Sequence, residues 1–79
     1  MEFTKSDNRF SLIESGEMVG YVEFEIHNDE LSILHTVVNE KFQGRGIARS
    51  LMKEIEAFAN SHELKIIPIC SYAAKYFQK

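Results

Sequence analysis

The sequence predicts a small α+β domain: three antiparallel strands, a main crossover helix, one parallel strand and a short C-terminal helix. Two changes of pattern carry that reading. Between residues 9 and 38 apolar and polar positions alternate at strand spacing, interrupted twice by turn residues. From Gly46 onward the spacing becomes helical, because Ile47, Leu51, Ile55 and Phe58 recur on one side with Ala48, Met52 and Ala59 widening the stripe.

The first strand covers residues 9–14 and stops at Ser15-Gly16-Glu17, a turn that makes a hairpin with residues 18–26. Within that second strand Val22, Phe24 and Ile26 form the cleaner apolar face. His27-Asn28-Asp29-Glu30 then turns the chain into a third strand, residues 31–38. The helix is expected to close near Asn60-Ser61-His62, residues that enter the left-handed region more readily than most. Residues 65–69 form a short strand, and a right-handed strand–helix–strand crossover lays it parallel to the third. Pro68 cannot donate to a ladder, so this strand belongs at an edge. A final helix starts near Ser71, with Tyr72, Ala73, Tyr76 and Phe77 available for packing.

Seventy-nine residues suit one domain, residues 1–79, that buries about 60–65% of the surface its unfolded chain exposes. With 44% hydrophobic and 27% charged residues the chain has the composition of a folded protein rather than a disordered one. One cysteine, Cys70, excludes an internal disulfide and fits a reducing, cytoplasmic setting. No apolar run suggests a signal peptide or a membrane span. His27, His35, His62 and Cys70 lack the close pairs of a zinc site, so no metal is expected. The net charge of −3 argues against general nucleic-acid binding. Residues 41–53 nevertheless carry Lys41, Arg45, Arg49 and Lys53 with no acid, a local charge of +4 on a body of −7. Such a basic focus suits one small polyanion.

That focus surrounds Gln43-Gly44-Arg45-Gly46-Ile47-Ala48, which leads into the helix without a Ser, Thr, Asp or Asn cap. An uncapped first turn leaves backbone N–H groups open to an anion, two glycines allow close approach, and Arg45 adds fixed charge. The same residues also suit a plain turn that only starts a surface helix. Gly-Lys-Ser/Thr is missing, and Arg49 stands at the third small position of a dinucleotide fingerprint, so neither of those phosphate motifs is present.

The segment resembles the GNAT superfamily of acyl-CoA-dependent acetyltransferases, whose Gln/Arg-x-x-Gly-x-Gly/Ala signature is met by Gln43, Gly46 and Ala48. Within it the chain looks most like the small YjdJ-type acetyltransferase-like proteins, which carry a His-Thr strand before the loop and a Cys-x-Tyr element after the last strand. Here those are His35-Thr36 and Cys70-Ser71-Tyr72, and the likeness runs from about residue 9 to residue 78. It implies a minimal GNAT-like fold and acetyl-CoA as cofactor. Backbone amides from Gln43 to Ala48 would grip the diphosphate of coenzyme A, and Val37 and Val38 would offer backbone groups to the pantetheine arm between diverging strands.

The resemblance also places Cys70 near the acyl thioester. Independently, Cys70 sits where a strand yields to a helix N-terminus, a place that favours the nucleophilic thiolate, although a lone cysteine is often only a buried packing residue. His35 pairs with it as an activating base if the strands are neighbours, and the resemblance implies Tyr72 as the candidate proton donor to the departing thiolate. In related sequences an acid commonly follows His-Thr. Here Val37 stands there, so the sequence names no carboxylate base. The expected activity is acetyl transfer from acetyl-CoA to an amine, on a small molecule or a protein, through Cys70 or directly. A non-catalytic acyl-CoA-binding module is the alternative.

Overall fold

The computed structural model describes residues 2–78. One sheet holds five strands in chain order: β1 (Glu2–Lys5), β2 (Arg9–Glu14), β3 (Glu17–His27), β4 (Glu30–Val38) and β5 (Lys65–Pro68). The first four are mutually antiparallel, whereas β5 lies parallel to β4 and is reached through α1 (Ile47–Ser61). Helix α2 (Ser71–Tyr76) follows β5. The expected α+β order is therefore present, with β1 as an added edge strand. Its four residues are all exposed, so they carry no hydrophobic alternation from which a strand could be read.

Local chemistry explains the turns. Ser15 (φ 52) and Gly16 (φ 78) join the paired residues Glu14 and Glu17, and two positive φ angles give a two-residue hairpin the twist of its strands. At the end of α1 the left-handed residue is Glu63 (φ 55), not one of Asn60-Ser61-His62. The Leu64 amide donates to the Ala59 carbonyl at 2.8 Å and the Glu63 amide to the Asn60 carbonyl at 3.2 Å, which satisfies two of the last free carbonyls.

Helix α1 lies on one face of the sheet. Its Ile47, Leu51, Met52, Ile55 and Ala59 are buried against Phe10, Leu12, Val22, Phe24, Leu31 and Ile33, and Ala73 joins them from α2. Ile26 is 45% exposed, which corrects its assignment to the core face: it sits at the far end of β3, beside the turn at Asn28.

Two bulges shape the sheet. In β3 the pairing passes from Leu12↔Gly20 to Ile13↔Met18, leaving Val19 without a partner opposite. In β4 it passes from Phe24↔Ile33 to Glu23↔His35, leaving Leu34 as the extra residue. A one-residue insertion shifts the side-chain alternation, so His35 and Val37 share the face of Tyr21 and Glu23, away from α1. Simple alternation from Ile33 would have put His35 on the α1 face.

Gly20 lets α1 approach the sheet. A Cβ there would stand 2.9 Å from the Val37 carbonyl oxygen and 2.9 Å from Cγ2 of Ile47. Gly20→Ala is expected to destabilise the fold by about 1–3 kcal/mol, because a ladder carbonyl has no room to retreat. The check is a lowered urea midpoint at unchanged slope, and an unchanged midpoint would contradict the close packing.

Candidate active site

The loop between β4 and α1 starts with a single 3-10 turn, Glu40–Phe42, capped by Asn39, whose Oδ1 accepts from the Lys41 amide at 3.1 Å. Gly44 (φ 83) and Gly46 (φ 75) then both adopt the left-handed conformation, and Gly46 is the N-cap residue of α1 with no side-chain cap. Among the described residues nothing accepts from the backbone N–H groups of Gly44, Arg45, Gly46, Ile47, Ala48 or Arg49. A Cβ at either glycine would meet no protein atom within 4 Å. The result is an open row of donors at the positive end of a fifteen-residue helix.

Side-chain charge around this row is distributed differently from the expectation. Both Nη atoms of Arg45 donate to Glu14, at 3.0 and 2.9 Å, and Lys41 Nζ donates to Glu17 at 3.0 Å. The two glutamates stand opposite each other at the end of the β2–β3 hairpin, where like charges repel, and the loop's cations relieve that repulsion. Arg45 therefore ties the loop to the hairpin, and its charge is compensated rather than free for a phosphate. Arg49 and Lys53 have no ion pair among the described residues, so the uncompensated positive charge lies on the first turns of α1.

The hydrogen bonds from Arg45 hold the Glu14 carboxyl below the usual carboxylate range. The pair's contribution to stability is thus present above that usual range and is lost as pH falls through the lowered value. Arg45→Ala is expected to return the Glu14 titration, followed by NMR of its side-chain carboxyl carbon, toward the ordinary carboxylate range. An unmoved midpoint would show that the pair does not persist in solution.

β4 and β5 pair only from Glu30↔Lys65 to Ile33↔Pro68, after which the Ile33 carbonyl accepts from both Ile69 and Cys70 at 3.0 Å. Beyond Ile33 the strands separate. The Asn39 amide donates to Val19 at 2.8 Å, and antiparallel alternation then makes Tyr21↔Val37 and Glu23↔His35 the hydrogen-bonded pairs of β3 and β4. By the same alternation the backbone groups of Thr36 and Val38 point away from β3, into the split. Of the two valines expected to present backbone groups there, Val38 does so and Val37 faces Tyr21.

A cleft of about 430 Å³ opens beside this split, lined by Tyr21, Glu23, His35, Thr36, Val37, Cys70, Ser71 and Tyr72. Cys70 is the N-cap of α2: its Sγ accepts from the Ala73 amide at 3.3 Å and lies 3.4 Å from Thr36 Oγ1 across the split. His35, Cys70 and Tyr72 all line this cleft. Sequence reasoning missed Tyr21 and Glu23, which the register of β3 on β4 and the bulge at Leu34 place on the face of His35, and Thr36 as a lining residue, whose side chain instead meets Cys70 across the split.

The geometry fits coenzyme A at each end. Open amides and uncompensated cations suit a diphosphate, and backbone groups freed by the divergence of β4 from β5 suit a thin amide-bearing arm leading to the cleft.

Comparison with known proteins agrees. The family described as GCN5-related N-acetyl-transferase matches residues 9–79. Among solved structures, a GCN5-like protein from Staphylococcus aureus superposes with a TM-score of 0.76 at 27% identity, covering 95% of this chain and 76% of its own. The ribosomal-protein-alanine N-acetyltransferase of Brucella melitensis superposes at 0.74 with 19% identity, over 87% of this chain and 57% of its own. An N-acetyltransferase of Thermoplasma acidophilum, crystallised with coenzyme A, superposes at 0.66 with 14% identity, over 71% and 35%. The chain spans little more than half, or less, of the last two, and at those identities they show the fold alone. With the family matched across β2 to α2 and the donor row at the head of α1, the chain belongs to the GCN5-related N-acetyltransferases and is an acetyltransferase with acetyl-CoA as its cofactor.

Proposed function

We propose that the cleft moves an acetyl group from acetyl-CoA to an amine by way of Cys70. The placement of Cys70 carries this reading: its Sγ lies in the cleft, beside the backbone groups freed from β5, and accepts a helix N-terminal amide at 3.3 Å. That amide and the Thr36 hydroxyl, 3.4 Å away, fix where Sγ sits. The N–H row from Gly44 to Ala48 would hold the diphosphate, and the Thr36 and Val38 backbone would direct the pantetheine arm toward the cleft. Acetyl-CoA supplies an activated acetyl carbon when bound.

In the first half-reaction Cys70 Sγ forms a bond to that carbon as the bond to the departing sulfur breaks. His35 takes the Sγ proton on a ring nitrogen, Tyr72 Oη gives its proton to the departing sulfur, and the proton on His35 restores Tyr72. In the second, the amine nitrogen bonds to the acetyl carbon and the bond to Cys70 breaks. His35 then carries the proton lost by the amine to Sγ, regenerating the thiol.

Incubation with acetyl-CoA followed by intact-protein mass spectrometry and peptide mapping is expected to show one acetyl group, on Cys70. An unmodified protein that still acetylates an amine would overturn the cysteine route.

A further inference from the structure

We propose that Glu23 is the acceptor anchor of the cleft, and that it selects an aliphatic amine that arrives as a cation. This rests on the transfer reading given above. Among the described residues Glu23 is the one acidic side chain lining the cleft, and the lining holds no lysine or arginine. Two tyrosine rings, Tyr21 and Tyr72, accompany it, the surroundings that favour an ammonium group over a neutral one.

Arg9 is the evident objection, since its Nη2 donates to Glu23 Oε2 at 2.7 Å. The two arginine–glutamate pairs among the described residues differ in the way that matters. Arg45 closes on both oxygens of Glu14, whereas Arg9 engages one oxygen of Glu23 and leaves Oε1 without a partner among the described residues. The Arg9 guanidinium lies 4.0 Å from the centre of the Tyr21 ring and is not part of the cleft lining. A ligand in the cleft therefore meets the negative end of the pair first. Register adds a second feature: Glu23 stands directly opposite His35, so an ammonium held by Glu23 is delivered beside the imidazole, which passes the ammonium's first proton to solvent before the neutral amine attacks.

Binding can be read without turnover. The probes are Nα-acetyl-lysine methylamide and Nα-acetyl-norleucine methylamide, its neutral analogue lacking the ammonium group, titrated against the labelled protein at neutral pH while backbone amide shifts are followed. The lysine probe is expected to move the amides of Tyr21, Glu23, His35 and Val37, and to bind about tenfold more tightly than the norleucine probe. Glu23→Gln should erase that preference and Glu23→Asp restore part of it. For the unsubstituted protein the lysine advantage should shrink as salt is raised, a readout that needs no variant. Equal affinity for the two probes, or a preference that survives Glu23→Gln, would overturn the anchor. Because this binding test involves no acetyl transfer, failure of Cys70 to load acetyl would count against the transfer route alone.

Discussion

Cys70→Ala is expected to reduce acetyl transfer by about a thousandfold or more, the scale seen when a covalent nucleophile is removed from an enzyme built around it. That is at least about 4 kcal/mol of transition-state stabilisation. The substitution also removes a helix cap, because Sγ accepts from the Ala73 amide, so about 0.5–1 kcal/mol of stability should be lost with it. Cys70→Ser separates the two effects. A hydroxyl keeps an acceptor for Ala73 and for the Thr36 hydroxyl but is a weaker nucleophile, so this variant should melt close to the parent and still fail to load acetyl. Initial rates of thiol release in the presence of an amine, compared with thermal melts, make the test. A Cys70→Ala protein keeping a tenth of the parental rate would mean that the amine attacks the thioester directly and that Cys70 only lines the cleft.

Gly46→Val is expected to weaken coenzyme A binding by about 1–3 kcal/mol, between roughly fivefold and 150-fold. The cause is conformational rather than a clash. Gly46 holds φ 75, and a Cβ there meets no protein atom within 4 Å. A β-branched residue resists that φ, so it turns the donor row away from a common target and projects into the space where the phosphates approach. Folding is also expected to lose about 1–2 kcal/mol. Gly16 supplies the matched control, having φ 78 and an equally open Cβ position, but lying in the β2–β3 turn. Gly16→Val should lose comparable stability and keep its affinity for coenzyme A in calorimetry. Equal loss of affinity in both would reduce the glycine argument to one about stability.

Much of the framework was legible because periodicity is a direct record of burial. Of the stripe that predicts α1, Ile47, Leu51, Met52, Ile55 and Ala59 are buried while Ala48 and Phe58 are half-buried at its margins, and Pro68 places β5 at an edge where it pairs with β4. Features set by a single extra residue were not legible. The bulge at Leu34 leaves composition and spacing untouched yet sends His35 and Val37 to the face opposite α1, where Glu23 meets them. Gly20 was similarly silent, since its need for a bare Cα comes from Ile47 and Val37, distant in sequence. The site was visible in part: an uncapped glycine-rich helix start can be recognised from residue types alone, and its donors are indeed open. The charge of Arg45 was misread, because its partner Glu14 belongs to a hairpin thirty-one residues earlier in the chain.

A titration of the labelled protein with coenzyme A, read at every backbone amide, tests the central claim most directly. Saturable shifts concentrated on Gly44, Arg45, Gly46, Ile47, Ala48 and Arg49, with smaller ones along Thr36 and Val38, are the predicted result. Binding that leaves those six amides unmoved while perturbing another part of the surface would contradict it.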